Sequence, residues 1–278
     1  MPSDLSNKFR LDGKIIVITG AAGLLGRKHA EAIAAYGGVP VLLDLLLIAV
    51  EDIANQLNKT YSIGAVGYKV DITDESQIQK NVDKIIEKFG KIDALVNNAS
   101  NNPKVEGTEK KNFSRLENFT LDSWNQDIAV GLTGAFLCAK HYGTAISQNS
   151  ESGVIINISS DLGLIAPDQR LYQKANLTED QQMVKPITYS VVKTGLIGLT
   201  RYLATYWPHK GVRCNAICPG GVESGQTDSF LKEVSSRIPM NRLATPSEYQ
   251  GTLIWMLSDA SSYLNGAVIS VDGGRTVW

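Results

Sequence analysis

The 278-residue sequence has only three cysteines, and it has no apolar run long enough to cross a membrane. Three cysteines are too few for the disulfide framework of a small secreted domain and suit a reducing compartment. The longest apolar run, residues 45–50, is far shorter than the roughly 18 residues that a membrane-spanning helix requires. The N-terminal segment also lacks the apolar core of a signal peptide, so we predict a cytoplasmic protein with no membrane partner.

An excess of charge of either sign is also missing, because 27 Lys and Arg residues stand against 28 Asp and Glu residues. The formal net charge of −1 gives no electrostatic reason to expect binding to nucleic acid or to an anionic surface. We therefore predict a small molecule as the partner. The hydrophobic fraction of 43% is enough for a full core.

The cysteines give little indication of redox or metal chemistry. Cys214 and Cys218 lie four residues apart in a predicted strand, where this spacing corresponds to about 13 Å, too long for a disulfide. We predict that these two residues and Cys138 are buried small side chains, and that the protein binds no metal.

Seven apolar stretches with strand character alternate with helical patterns such as 24–36 and 75–89. The predicted strands are residues 14–19, 39–44, 65–70, 92–97, 153–159, 212–218 and 267–272. Strands that are apolar almost throughout are buried on both faces, as parallel strands between two layers of helices are. The pattern predicts an α/β fold with one doubly wound, Rossmann-type parallel sheet of about seven strands and helices on both faces.

No repeat, low-complexity tract or linker divides the sequence, so we predict a single domain over residues 1–278. Its dinucleotide-binding half covers about 13–150, and its catalytic and substrate half covers about 151–278. Two polar segments interrupt the alternation, residues 101–120 after the fourth strand and the inserted loop 161–187 after the fifth. Both are expected at the carboxyl edge of the sheet, where ligands bind in this architecture. The alternative is that they are mobile surface insertions.

The inserted loop supplies our candidates for substrate binding, Gln169 and Arg170. The same polar and partly basic set includes Tyr172, Lys174 and Lys185. Such side chains suit the hydroxyls or a phosphate of a substrate. On composition alone, a solvated surface is an equally good interpretation of these charges.

A glycine-rich turn follows the first strand, with Gly20, Gly23 and Gly26 in TGAAGLLG. A dinucleotide site needs a tight turn, close approach of the backbone to a pyrophosphate and close packing of helix on strand, and glycines permit all three. The amides at the start of the next helix, at Leu24 and Leu25, then face the phosphates.

The second strand ends in an acidic residue, Asp44, 18 residues beyond Gly26. A carboxylate at this place accepts hydrogen bonds from the adenosine ribose and repels a 2′-phosphate, so the sequence favours NAD over NADP. Arg27 is the residue that could reverse this preference. Its other interpretation is a helix residue facing solvent.

Tyr189 and Lys193 lie four residues apart in a helical pattern, and this spacing places them on one face. A free tyrosine is a poor base at neutral pH, but a neighbouring ammonium or a positive nicotinamide favours its phenolate. Such a tyrosine can exchange a proton with an alcohol or ketone. Taken alone, the YxxxK spacing is as well explained by a surface tyrosine beside a solvated lysine.

The motifs around this pair resemble the short-chain dehydrogenase/reductase superfamily over nearly the whole chain. They are TGAAGLLG (19–26), VDIT (70–73), VNNA (96–99), INISS (156–160), YSVVK (189–193), NAICPGGV (215–222) and GAVISVDGG (266–274). The resemblance implies that Tyr189 is the catalytic acid/base. It also implies that Lys193 binds the nicotinamide ribose and lowers the pKa of the tyrosine, and that Ser160 hydrogen-bonds the reacting oxygen.

The same resemblance implies a further set of cofactor contacts. It places Asp71 and Ile72 beside the adenine, Asn98 and Ala99 near the adenosine ribose, Pro219 and Gly220 in a shaping loop, and Val222 at the nicotinamide carboxamide.

Three features depart from the family pattern. Gly131 stands where the family often has an asparagine that supports a water relay to the lysine, which puts that relay in doubt. Ser100 replaces the last glycine of the usual NNAG motif. Ser160 and Tyr189 are 29 residues apart, more than the usual interval, because of the inserted loop.

The glycine spacing is more typical of the longer, extended branch of the superfamily, whereas the other motifs match the single-domain branch. The whole pattern, including DLGLIAPDQR and VDGGRTVW, resembles the bacterial flagellin-modification protein A subgroup. This resemblance implies an NAD(P)-dependent oxidoreductase acting on a sugar or nucleotide sugar in surface glycan synthesis, and a homodimer or homotetramer. The alternatives are a sugar epimerase or dehydratase with tightly held NAD, and a cofactor-binding regulator without turnover.

Overall fold

The structure is a computed structural model that describes residues 5–101 and 114–278. Its strands are β1 (Ile15–Thr19), β2 (Val39–Asp44), β3 (Val66–Lys69), β4 (Ala94–Asn97), β5 (Gly153–Ile158), β6 (Val212–Pro219) and β7 (Val268–Val271). Its helices are α1 (Leu24–Ala35), α2 (Leu47–Tyr61), α3 (Glu75–Phe89), α4 (Leu121–Ile128), α5 (Gly134–Ile146), α6 (Ile187–Tyr206), α7 (Asp228–Ser235) and α8 (Gln250–Leu257).

Within the described residues, seven parallel strands form one sheet in the order β3-β2-β1-β4-β5-β6-β7. The predicted fold class is therefore confirmed, and every predicted strand is present with its ends shifted by at most two residues. The predicted helix over 75–89 agrees with α3. The predicted helix over 24–36 is α1, which ends one residue earlier, at Ala35. Most of the polar segment predicted over residues 101–120 lies outside the described residues.

The sheet is covered by helices on both faces because its strands alternate between two apolar cores. From β1, Ile16 and Ile18 enter the core shared with α1 and α8, whereas Ile15 and Val17 enter the core shared with α3 and α5. Every residue of β1 is buried, as are those of β4 and β5. Continuous apolar strands are thus explained by burial on both sides.

The direction in which strands are added to the sheet reverses after β3, because β4 pairs with β1 on the side opposite β2. Loops after β1 and β4 consequently leave in opposite directions and open a crevice at the carboxyl ends of the strands. In open α/β sheets this is where ligands bind.

The insert after β5 contains three short 3₁₀ turns and no longer helix. Leu171 packs with Val234 of α7 and with Ile238 in a small apolar cluster. The Asp168 carboxylate accepts a hydrogen bond of 2.7 Å from Arg237, just beyond α7. The insert is therefore held against the α7 segment by apolar and ionic contacts.

The three cysteines are free and buried, as predicted. Among the described residues, no helix combines the length and the apolar character needed to cross a membrane.

Candidate active site

A cleft of about 610 Å³ lies at the carboxyl ends of the strands, and it brings together most of the predicted site residues. Those that line it are Gly20, Gly23, Leu24, Leu25, Asp44, Asp71, Ile72, Asn98, Ala99, Ser160, Tyr189, Lys193, Pro219, Gly220 and Val222. Three predicted residues do not line it, namely Gly26, Gln169 and Arg170.

The glycine turn has a backbone that side chains would obstruct. Gly20 has a φ of +63°, and a Cβ there would lie 2.8 Å from the Cα of Ala99. A Cβ on Gly26 would lie 2.4 Å from the carbonyl oxygen of Gly20, so Gly26 lies behind the turn and packs α1 against it. The turn is therefore a concave backbone surface at the start of a helix, which fits a pyrophosphate.

Asn98 contacts the glycine turn directly. Its side-chain amide donates to the carbonyl oxygens of Thr19, at 2.9 Å, and of Gly20, at 3.1 Å. The Thr19 hydroxyl accepts from the backbone amides of Asn98 and Ala99. The VNNA motif thus holds the turn in place from the neighbouring strand, while its predicted contact with the adenosine ribose stays a prediction.

Asp44 ends β2 with its carboxylate beside the turn. One oxygen accepts from the amide of Ala22 at 3.0 Å, and the other accepts from the amide of Leu46 at 3.2 Å. Arg27 is exposed, which agrees with its interpretation as a helix residue facing solvent. Its Nε also donates to the carbonyl oxygen of Ala22 at 2.9 Å. A negative group and a positive group therefore flank the same turn. Further along the cleft, the Asp71 carboxylate accepts from Thr73.

Tyr189 and Lys193 occupy the first two turns of α6, and Ser160 follows β5. The Nζ atom of Lys193 lies 5.7 Å from the centre of the Tyr189 ring and donates to the carbonyl oxygen of Ile158 at 2.9 Å. Because Ile158 ends β5, this bond joins the start of α6 to the strand that presents Ser160. The 29-residue interval therefore does not separate the three predicted catalytic residues.

The protonation of this group differs from what the resemblance implies. Burial raises the pKa of Tyr189 above its ordinary value, although Lys193 is near. Burial, with a smaller contribution from the charge of Lys185, lowers the pKa of Lys193 to about 8. In this structure the effect of burial exceeds that of the hydrogen bond with Ser160, which lowers the pKa of Tyr189, so the phenol is favoured over the phenolate.

The insert contributes Tyr172 and Lys185 to the cleft lining. The Nζ atom of Lys185 lies 3.8 Å from the centre of the Tyr189 ring, and burial lowers the pKa of Lys185 to about 8. Arg170 is placed differently, because it pairs with Asp168 at 2.8 Å and its side chain is 76% exposed. Gln169 contacts a residue of the cleft lining instead, since its side-chain oxygen accepts from the backbone amide of Lys185.

Two charged residues that the sequence did not single out also line the cleft, Asp161 and Arg275. They form an ion pair of 2.9 Å, and their side chains are only 4% and 10% exposed. One available signal was the position of Asp161 directly after Ser160, at the end of an apolar strand. Arg275 had no such signal, because it lies 114 residues further along the chain.

Gly131 lies in a single π-helical turn between α4 and α5 (Ala129–Thr133). A Cβ at Gly131 would lie 2.5 Å from a methyl carbon of Val192 on α6. The space that an asparagine side chain would need is therefore filled by Val192. A relay through a side chain at this position has no room in this structure.

We expect Gly131→Ala to destabilise the protein by about 1–3 kcal/mol, because the added methyl overpacks the contact with Val192. Gly198→Ala is the matched control, since a Cβ on this helical glycine meets nothing within 4 Å. Urea unfolding should show a loss for the first variant and none for the second, with part of the loss recovered in Gly131→Ala/Val192→Ala. Equal stabilities for the two single variants would contradict the packing argument.

The comparisons with known proteins agree with this cleft and sheet. A family model described as enoyl-(acyl carrier protein) reductase matches residues 20–276. The chain belongs to the short-chain dehydrogenase/reductase superfamily. It is an NAD(P)-dependent oxidoreductase of alcohols and ketones, as the sequence motifs predicted.

Individual relatives act on several hydroxylated compounds. An NADP-dependent mannitol dehydrogenase of Alternaria alternata is 30% identical, over 99% of this chain and 97% of its own. A D-threitol dehydrogenase of Mycolicibacterium smegmatis is 30% identical, over 97% and 95%. A gluconate 5-dehydrogenase from Burkholderia cenocepacia, solved with NADP and tartrate, is 25% identical and superimposes with a TM-score of 0.84 over 98% of each chain.

Proposed function

We propose that this protein oxidises a secondary alcohol of a polyhydroxylated, sugar-like substrate to a ketone, or catalyses the reverse reduction, with NAD as its cofactor. The observation that carries the proposal is that Ser160, Tyr189 and Lys193 line the same cleft as the glycine turn. A reacting hydroxyl between Ser160 and Tyr189 is then within reach of a cofactor bound along the carboxyl ends of β1 and β4.

Each catalytic residue has a role that its position supports. Tyr189 takes the hydroxyl proton during oxidation and returns it during reduction. Ser160 hydrogen-bonds the reacting oxygen. Lys193, fixed to the carbonyl of Ile158, directs its ammonium toward the cofactor ribose and Tyr189. The nicotinamide ring, when bound, accepts or supplies the hydride and brings a positive charge that favours the phenolate.

The preference for NAD rests on the Asp44 carboxylate at the end of β2. A 2′-phosphate on the adenosine ribose would be placed beside this negative charge. Arg27 contacts the turn, but its Nε donates to the backbone carbonyl of Ala22. The mannitol dehydrogenase is NADP-dependent by name, and the gluconate 5-dehydrogenase was solved with NADP. The preference for NAD is therefore to be tested directly.

The substrate end of the cleft is polar on the insert side and apolar on the α7 side. Tyr172 and Lys185 face it from the insert, whereas Phe230 and Val234 face it from α7. This mixture suits a compound with hydroxyls along one edge. The resemblance to the flagellin-modification subgroup supports a sugar or nucleotide sugar in surface glycan synthesis, and the names of the relatives support polyols and sugar acids.

Lys185→Met is expected to raise the KM for the substrate about tenfold, because the ammonium beside Tyr189 is lost while the chain length is kept. Lys174→Met is the matched control, since Lys174 lies on the same insert but does not line the cleft. Steady-state kinetics at saturating NAD measure both values. Equal KM values for the two variants would remove Lys185 from substrate binding.

The proposed function is tested by supplying NAD or NADP with a panel of polyols, sugar acids, sugar phosphates and nucleotide sugars. Net formation of NADH with at least one of them is the expected result. An epimerase or dehydratase with tightly held NAD would convert a nucleotide sugar without net NADH, and a regulator would bind NAD without turnover of any compound. Either outcome would overturn the proposal.

We also propose association into a homodimer or homotetramer. Phe136 on α5 and Tyr202 and Tyr206 on α6 are about half exposed or more, which is consistent with a contact surface on these helices. Light scattering in solution measures the assembly.

A further inference from the structure

Ser160 has an unusual neighbour for a residue that is predicted to contact the substrate. Its hydroxyl donates a hydrogen bond of 2.7 Å to the carboxylate of Asp161. The same carboxylate oxygen accepts from the backbone amide of Leu162 at 2.8 Å, and the other oxygen pairs with Arg275 at 2.9 Å. The Asp161 carboxylate is therefore held from three sides in one orientation.

This ion pair is buried, and it lies in the wall of the cleft. A buried charge is costly unless it is paired and hydrogen-bonded, so an ion pair placed here needs a reason beyond stability. The partner comes from the other end of the catalytic half, since Arg275 follows β7. The two residues meet beside Ser160.

The number of available protons fixes the direction of the hydrogen bonds. A serine hydroxyl has one hydrogen to donate, and an ionised carboxylate only accepts. With this hydrogen directed to Asp161, the Ser160 hydroxyl is held beside the carboxylate in one orientation. The negative charge of Asp161 raises the pKa of Tyr189, in the same direction as burial, whereas the hydrogen bond with Ser160 lowers it.

We propose that Asp161, held by Arg275, is a positioning residue that fixes the direction of the Ser160 hydrogen bond and places a negative charge behind the Ser160–Tyr189 pair. The inference rests on the proposed function, because it assigns to this pair a part in proton exchange with the substrate.

Other charged and titratable groups act on the same pair. Lys193 lies on α6 with Tyr189, and Lys185 lies over the ring of Tyr189. The remaining groups that face Tyr189 or Asp161 are Tyr172 of the insert, Cys218 of β6, Tyr249 before α8 and Asp127 of α4. None of them changes in the variants below, so their contributions are common to all comparisons.

The test uses two variants with opposite expected signs. Alcohol oxidation requires the phenolate of Tyr189, so its rate rises as the pH rises through the pKa of that group. Asp161→Asn removes a negative charge, which favours the phenolate and moves this rise to lower pH by about one unit. Arg275→Met leaves the carboxylate without its partner, which disfavours the phenolate and moves the rise to higher pH.

The rate at the plateau and a conservative variant supply further readouts. We expect Asp161→Asn to lower kcat about tenfold with a smaller effect on KM, because the serine hydroxyl is no longer oriented by a charge. Arg275→Lys keeps the positive charge, and it should return the pH profile to that of the wild type. The pair Arg275→Met and Arg275→Lys decides the question even where Asp161→Asn does not fold.

Asp93→Asn is the matched control for loss of a buried ion pair. Asp93 and Asp161 are both 3% exposed, but Asp93 pairs with Lys91 before β4, at the amino end of the sheet. This variant should lose stability without moving the pH profile. Equal profiles for all variants, or shifts of the same sign in Asp161→Asn and Arg275→Met, would overturn the proposal.

A second measurement separates this inference from the proposed function. The ultraviolet absorbance of tyrosinate is titrated in each variant and in the same variant carrying Tyr189→Phe, and the difference isolates Tyr189. If the wild type turns over no compound of the panel, the proposed function fails. The opposite shifts in the tyrosinate difference still support the positioning role of Asp161, and their absence still refutes it.

Discussion

Tyr189→Phe is expected to lower kcat about 1,000-fold, because the phenol is the group placed to exchange a proton with the substrate hydroxyl, and general acid–base catalysis contributes about 100- to 10,000-fold. The dissociation constant for NAD should stay within about twofold, since the ring is kept and the glycine turn is untouched. Kinetics of NADH formation and a fluorescence titration with NAD measure the two quantities.

The matched control for this variant is Tyr202→Phe. Tyr202 lies on the same helix as Tyr189, but its side chain is 62% exposed and does not line the cleft. Its activity should equal that of the wild type. Retention of more than about a tenth of the activity in Tyr189→Phe would exclude this tyrosine as the essential acid/base.

The second large effect concerns the choice of cofactor. Asp44→Asn/Leu45→Arg should lower the ratio of kcat/KM for NAD to that for NADP about 100-fold, because a positive charge replaces a negative one where a 2′-phosphate would lie. Asparagine keeps an acceptor for the amide of Ala22, so the glycine turn should be preserved. Steady-state kinetics with each cofactor give the ratio.

Ile48→Arg is the control for adding a positive charge near the start of α2. Ile48 is 75% exposed and does not line the cleft, whereas Leu45 does. The control should leave the cofactor ratio unchanged. If the wild type already prefers NADP, or if the double variant keeps the wild-type ratio, Asp44 does not determine the cofactor.

The sheet could be predicted from the sequence because the apolar composition of its strands indicates that they are buried on both faces. Strands such as β1 and β5 are largely apolar and buried at every position, and only a helix-covered parallel sheet hides both of their faces. The glycine turn was equally predictable, since Gly20 and Gly26 occupy places where a Cβ would collide with backbone. These features depend on local sequence and on the general rules of the fold.

Features that depend on distant contacts could not be predicted. Asp161 and Arg275 meet because β6 and β7 bring the last residues of the chain beside the end of β5, and no local pattern records this. The basic residues of the insert posed a similar problem. Composition does not distinguish Arg170, which Asp168 engages two residues away, from Lys185, which reaches the cleft.

The pKa of Tyr189 shows a limit of a different kind. The spacing to Lys193 indicates a nearby ammonium, and a nearby ammonium alone lowers the pKa of a phenol. The structure adds the burial of the ring, which raises the pKa and is the largest influence on it. How deeply a side chain is buried is a property of the assembled fold.

The attachment of the insert to the α7 segment has a thermodynamic consequence for ligand binding. Leu171 is packed against Val234, and Asp168 is bonded to Arg237, before any substrate arrives. The conformational entropy of this wall is therefore lost during folding of the chain and not during association. A substrate that enters this cleft meets a pre-organised surface, so less of its interaction free energy is consumed in ordering the protein.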